Sequence, residues 1–156
     1  MKEKDEKILI LLQKNSRISL KEIAKKLGMP ISTVFTKIKK FEEEGLIKKY
    51  SLELDEKKLG YTVKAFVLVT YKSNSKSQEE VAKEISKLPF VERVYIIAGQ
   101  WDILVEAIGK DVEDLGKWIT EKLREIEGVD KTQTLIVLKK IKESYVLSSK
   151  GVDVFN

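Results

Sequence analysis

Within LGMPISTVFTKIKK (Leu27–Lys40), three hydroxyls, Ser32, Thr33 and Thr36, precede three cations, Lys37, Lys39 and Lys40, with no carboxylate before Glu42. Hydroxyls exchange hydrogen bonds with polar edges, and ammonium groups neutralise phosphates and release their counterions. This set of side chains suits the surface of a polyanion better than bond-making chemistry. The chain has no cysteine and no histidine. The first absence excludes disulfides and thiolate metal sites; the second removes the commonest general base and the usual zinc and haem ligands. Carboxylates and lysines remain, but no enzyme, metal or cofactor is expected.

The hydroxyls and lysines need an element that presents them together. Stepped at about 100° per residue, Ile31–Glu44 puts Ile31, Val34, Ile38 and Phe41 on one apolar stripe, expected as core. Ser32, Thr36, Lys39, Lys40 and Glu43 fall opposite, with Thr33 beside them and Phe35 at the border. Ahead lies SLKEIAKKLG (Ser19–Gly28), where Ser19 and Glu22 form a capping box and Gly28 suits a left-handed stop. Leu20, Ile23, Ala24 and Leu27 make its apolar face; Lys21, Lys25 and Lys26 lie outward. The first helix is expected over Asp5–Asn15, with Ile8, Leu9, Leu11 and Leu12 inward and Ile10 left over, to face a partner chain. Helix, capped helix, glycine turn and basic helix is the helix-turn-helix pattern, whose third helix enters the major groove while the second braces across the phosphates. The competing reading is a plain three-helix bundle with a solvated third helix.

Charge supports the first reading. Residues 1–50 hold 13 Lys and Arg against 7 Asp and Glu, while the other 106 of the 156 residues hold 17 against 18. The net +5 therefore belongs to the N-terminal third, as for a nucleic-acid-binding unit joined to a near-neutral one. No apolar run approaches the roughly 20 residues of a membrane span, and MKEKDEK is too charged to open a signal peptide, so a cytoplasmic protein without membrane partners is expected. Abundant Lys and Glu with few Asn and Gln suggest a thermophilic source.

The remainder is expected to be α+β. Tyr50, Leu52 and Leu54 alternate as a short strand that leads into a charged hinge. Val63–Tyr71 is expected as a strand, Ser77–Leu88 as a helix, and Val91–Gly99 and Asp102–Gly109 as strands joined by a tight turn. Asp111–Gly128 follows as a helix, capped by Asp111 and buried through Val112, Leu115, Ile119, Leu123 and Ile126, and Val129–Ile141 as the last strand. The order β-α-β-β-α-β is ferredoxin-like. The domain plan is thus a helix-turn-helix over 1–50, a linker over 51–62, a sheet domain over 63–142 and a tail over 143–156. The strands are apolar on both faces: Phe66 and Leu68 alternate with Val67 and Val69. An antiparallel sheet with one wet face should alternate apolar and polar, so a second copy of the sheet is expected on the outer face, the competing reading being that the N-terminal unit or the C-terminal tail covers it.

The order of these parts resembles the Lrp/AsnC, or feast/famine, family of regulators over Asp5 to about Lys142. DEKILILLQKNSRISLKEIAKKLG resembles its first two helices and STVFTKIKKFEEEGLIKKY its recognition helix. AGQWDILVEAIGKD resembles the glycine-containing hairpin of its regulatory domain, and EGVDKTQTLIVLK that domain's last strand. The resemblance implies a transcription regulator that binds double-stranded DNA, a homodimer formed through the sheet domains, further assembly often to octamers, and an amino-acid effector bound between dimers. Carried over by position, the effector residues are Gly99, Gln100, Trp101 and Asp102 in the hairpin turn and Asp130, Thr132 and Thr134 in the last strand. Gly99 lets a ligand carboxylate approach the backbone, and Asp102 offers a partner for an α-ammonium group. The DNA-contacting residues are Ser32, Thr33, Thr36 and Lys37 at or near the bases, and Lys39, Lys40, Lys25 and Lys26 on phosphates. The sequence departs from the family at Pro30, where many relatives have a capping serine, so Ser32 is expected to take over the cap. It departs again at Thr36, where many have arginine and where threonine cannot make a bidentate guanine contact. Two other functions fit the same parts: an architectural protein that coats DNA with little specificity, and a siroheme decarboxylase. The latter enzymes share the two-domain build but depend on histidines that this chain lacks.

Overall fold

The computed structural model describes residues 1–73 and 76–147. The chain divides into two compact units, one of residues 1–53 with the C-terminal segment from Ile141, the other of residues 54–140.

The first unit holds three helices, α1 (Glu3–Lys14), α2 (Leu20–Leu27) and α3 (Ile31–Glu43). Acids Glu3, Asp5 and Glu6 open α1, where they meet the positive end of the helix dipole. The Ser19 side chain caps α2 by accepting from the Glu22 amide, and Gly28 stops it at φ 62, the left-handed conformation that a side chain disfavours. Ile8, Leu9, Leu11, Ile23, Ala24, Val34, Ile38 and Phe41 form the core, with Leu147 of the C-terminal segment packed against it. Of the tail expected over 143–156, residues 148–156 lie outside the described residues.

Several expectations for this unit are corrected. Ile31 is 48% exposed and does not belong to the core; it is the first residue of α3, and the buried stripe of that helix begins a turn later at Val34. Ile10, expected to face a partner, is buried within the chain. Ser32 does not cap α3: the helix starts at Ile31, Pro30 holds the cap position, and its carbonyl accepts from the Thr33 and Val34 amides at 3.1 and 3.2 Å. Tyr50, Leu52 and Leu54 form no strand among the described residues and are more than half or half exposed. Alternation alone makes no strand where no neighbouring backbone offers a ladder.

The second unit is a four-stranded antiparallel sheet in the order β2-β3-β1-β4, with β1 (Val63–Tyr71), β2 (Val91–Ile96), β3 (Ile103–Gly109) and β4 (Val129–Ile136). Two helices complete it, α4 (Gln78–Ser86) and α5 (Val112–Trp118), the latter continuing through a wider π turn over Ile119–Leu123. Ser77 caps α4, and Asp111 caps α5 by accepting from the Asp114 amide at 2.7 Å. This is the expected ferredoxin-like arrangement, with β4 ending five residues sooner than its apolar run. Ala65, Val67 and Val69 of β1 and Ile103, Val105 and Ala107 of β3 point into a fully buried core with Val81, Ile85, Leu115 and Leu123. Val112 is 61% exposed, so it does not share the buried face assigned to it; it is the first residue of α5, and the buried face begins at Leu115. Gly128, at φ 97, lets the chain enter β4 against α4: a Cβ there would stand 2.5 Å from Val81 Cγ2.

The outer face of the sheet is the alternate set. Phe66 lies in register with Glu106 and Leu135, and Leu68 with Leu104 and Gln133. Phe66, Leu68, Leu104 and Ile108 are half-buried, while Tyr95 and Leu135 are exposed. Glu106 is held by Arg93 at 2.7 Å.

Candidate nucleic-acid interface and effector site

The outward side of α3 carries Ile31, Ser32, Phe35, Thr36, Lys39 and Lys40, all exposed, with Thr33 half-buried. Lys25 and Lys26 are exposed on α2. Lys25, Lys26 and Lys39 make no ion pair among the described residues, so their ammonium groups are open to an external anion. Lys40 reaches Glu44 only at 3.8 Å, with both side chains well exposed, a pair of little strength in water.

Two residues assigned to base contact are engaged within the unit. Lys37 Nζ lies 2.6 Å from Asp5 Oδ1 on α1, both mostly shielded, so its charge is largely spent joining α3 to α1. The Thr36 hydroxyl donates to the Ser32 carbonyl at 2.9 Å, back-bonding to its own helix. Its proton is therefore used, and only acceptor capacity and its methyl group face outward. At the far end of α3, Glu42 accepts from the Tyr50 hydroxyl at 2.8 Å.

The hairpin candidates lie at one end of the sheet. The connection from β2 to β3 spans residues 97–102 and is closed by the Ile97 amide donating to the Asp102 carbonyl at 2.9 Å. Gly99 takes φ 145, and the space where a Cβ would stand is open. Asp102 is fixed to the end of β1: its amide donates to the Val69 carbonyl, and its carboxylate accepts from the Tyr71 amide at 3.1 Å. Gln78 of α4 donates to the Asp102 carbonyl at 2.8 Å.

The β4 candidates share that end. Thr132 lies in register with Val69 and Thr134 with Val67, so β1 separates them from the hairpin. Asp130 pairs with Lys72 at 3.5 Å, and Thr132 accepts from Arg124 Nε at 3.2 Å. Lys72 and Arg124 add two cations that sequence reasoning did not select. Their signal was present only as charge within contact reach of Asp130 and Thr132, which spacing along the chain does not reveal. Gln100 and Thr134 are exposed; Trp101 and Asp102 are half-buried.

Residues 64–147 match the Lrp/AsnC ligand binding domain, and residues 1–48 match a winged helix-turn-helix DNA-binding domain. The chain belongs to the Lrp/AsnC family. It is similar to an uncharacterized HTH-type transcriptional regulator of Pyrococcus furiosus, 44% identical over 140 residues that cover 89% of this chain and 93% of the relative. It is 38% identical to the HTH-type transcriptional regulator FL11 of the same organism, over 94% of this chain and 95% of that one. Among solved structures, a transcriptional regulator from Neisseria meningitidis in complex with L-Met superposes with a TM-score of 0.88 at 26% identity, covering 92% of this chain and 94% of that one. AsnC of E. coli gives 0.87 at 25% identity, covering 94% and 98%. As an Lrp/AsnC-type helix-turn-helix protein, the chain is a DNA-binding transcription regulator. No helix among the described residues is long and apolar enough to cross a membrane.

Proposed function

We propose that this regulator acts as a homodimer, or as a higher assembly such as an octamer, that binds operator DNA in the cytoplasm and responds to an amino acid. The observation that carries the DNA reading is the exposed face of α3 with the unpaired Lys39, flanked by Lys25 and Lys26 of α2. Lys25, Lys26, Lys39 and Lys40 hold phosphates, while Ser32, Thr33 and Thr36 lie at the bases. Lys37 braces α3 through Asp5 and lends its remaining charge to the groove. In a two-fold dimer the two α3 helices meet half-sites roughly 34 Å apart or a multiple of that spacing. The outer sheet face supports the dimer, since Phe66, Leu68, Leu104 and Leu135 make an apolar surface that a second copy covers.

The effector reading rests on the end of the sheet that gathers Gly99–Asp102 and Asp130–Thr134. A zwitterionic amino acid needs an anion for its ammonium group and donors for its carboxylate. Asp102 and Asp130 offer the first; the backbone beside the open Gly99 position, with Lys72 or Arg124, offers the second. That the Neisseria relative is a complex with L-Met supports the ligand class, not its identity here.

Selection of bound duplexes from a random pool, with and without a mixture of amino acids, tests these readings together. The expected result is one enriched sequence with two related half-sites, a steep fall of affinity with salt, and a change in affinity when amino acids are added. No enrichment over random duplex would overturn the operator reading, and identical binding with and without amino acids would overturn the effector reading.

A further inference from the structure

The most anomalous feature of α3 is apolar. Phe35 is 53% exposed and Ile31 48%, one turn apart on the outward side, directly beside Ser32 and Thr36. Leaving two large apolar side chains in water forgoes their burial, and single exposed apolar residues are ordinary on protein surfaces. These two are a pair, and they occupy the turns of the helix that precede Lys39 and Lys40. The polar side chains beside them are poorly placed to read bases by donation: the Thr36 proton is bound to the Ser32 carbonyl, and Lys37 is held by Asp5 at 2.6 Å. Ser32 is the remaining exposed hydroxyl of the first two turns.

Flanking lysines restrict what can cover the pair. Lys39 stands unpaired one turn beyond Phe35 on the same helix, with Lys25 and Lys26 exposed on α2, so a partner that covers the pair is favoured when it combines negative charge with an apolar group. The major groove of B-DNA meets both conditions where thymines occur, because the 5-methyl of thymine is the one apolar group on a base edge there.

We infer that Phe35, supported by Ile31, reads thymine 5-methyl groups in the major groove, so that each half-site requires thymine at the positions facing the first two turns of α3. This rests on the reading of α3 as the groove-entering helix and adds the chemistry it selects. It also explains how the regulator can be specific without an arginine at position 36: contact with methyl groups replaces bidentate hydrogen bonding.

The test uses the full-length protein and the duplex enriched by selection. Each thymine of one half-site is replaced singly by deoxyuridine, which removes the methyl group and keeps every hydrogen-bonding edge. Affinity is expected to fall by about fourfold for each methyl contacted, the value of one buried carbon. In Phe35→Ala the same replacements are expected to have no effect, while in Thr36→Ala they retain it. Specific, salt-dependent binding that is indifferent to deoxyuridine, or a deoxyuridine effect that survives in Phe35→Ala, would overturn this inference and leave the DNA reading intact. Failure to bind any sequence preferentially would instead overturn the DNA reading. If Phe35→Ala changes the oligomer measured by sedimentation and not the methyl sensitivity, the pair is a protein contact and the inference falls.

Discussion

Among the described residues, exposed lysines without a carboxylate occur in both units, Lys25, Lys26 and Lys39 in the helix unit and Lys87, Lys117 and Lys122 in the sheet unit, but residues 1–50 hold 13 Lys and Arg against 7 Asp and Glu while the other 106 hold 17 against 18. Apolar surface differs in its arrangement. In the helix unit exposed apolar side chains are spread over several segments, among them Ile31 and Phe35 on α3, Leu46, Leu52 and Val146, whereas in the sheet unit Phe66, Leu68, Leu104 and Leu135 form a half-buried to exposed ladder in cross-strand register. What each unit leaves unsatisfied differs, and so does what it can bind. An excess of cations over carboxylates invites a polyanion; a ladder of apolar residues on a sheet already paired within itself invites another apolar sheet.

The largest effect should come from breaking the apolar side of this contrast. Leu68→Asp places a charge on the outer face, where a second copy would bury it unpaired. Association is expected to weaken by at least about 3 kcal/mol, roughly a hundredfold in the association constant. Sedimentation should then find a smaller species at micromolar concentration, with circular dichroism unchanged. An unaltered oligomer would mean that the outer face is not the interface.

Breaking the charged side comes next. Removing Lys39 and Lys40 together by Ala should weaken DNA binding by a similar factor for all sequences and reduce the slope of affinity against salt by about 2. Lys83→Ala is the control in the sheet unit. Lys83 already holds Glu79 at 3.1 Å on an exposed helix face, so the salt slope should not move and stability should change by less than about 0.5 kcal/mol. A comparable loss of slope in Lys83→Ala would erase the distinction between the units.

The smallest effect concerns a pairing inside the helix unit. Partial burial first, then the hydrogen bond to Glu42 and its negative charge, push the Tyr50 phenol up from its ordinary 10.0 to about 12. A group with a raised folded value contributes stability that is fully present below the unfolded value and is lost as pH climbs through the folded one. The Tyr50 contribution should therefore persist to about pH 10 and fade towards pH 12. Phenolate absorbance should show one tyrosine titrating late, and Tyr50→Phe should remove both that step and the loss of stability across the window.

Much of this was legible in the chain itself. A capping box and a glycine stop located α2, and the Asp111 cap located the start of α5, because such signals depend on residues three or four apart, while β1 and β3 followed from short apolar runs bounded by turn residues. The helix-turn-helix and the ferredoxin-like order came from those local signals in sequence. The DNA face was legible in part, since charge counted along the chain placed the excess in the first 50 residues. Which side chains were free to use it was not legible. Lys37 and Asp5 are 32 positions apart and meet only when α3 packs on α1, and Ile31 fits the apolar stripe of its helix yet lies outside the core. The effector candidates divide likewise: the hairpin turn is local, but the cations Lys72 and Arg124 reach Asp130 and Thr132 only through strand pairing and helix packing.

The sequence by itself determined the elements, their order and the sign of each unit's charge, because periodicity, caps and composition act over a few residues. Only the tertiary structure decided which lysines stay unpaired, which threonine proton is spent, and that Phe35 and Ile31 share an exposed face. Those outcomes depend on atoms brought within a few ångströms from distant positions, and no local rule contains that geometry.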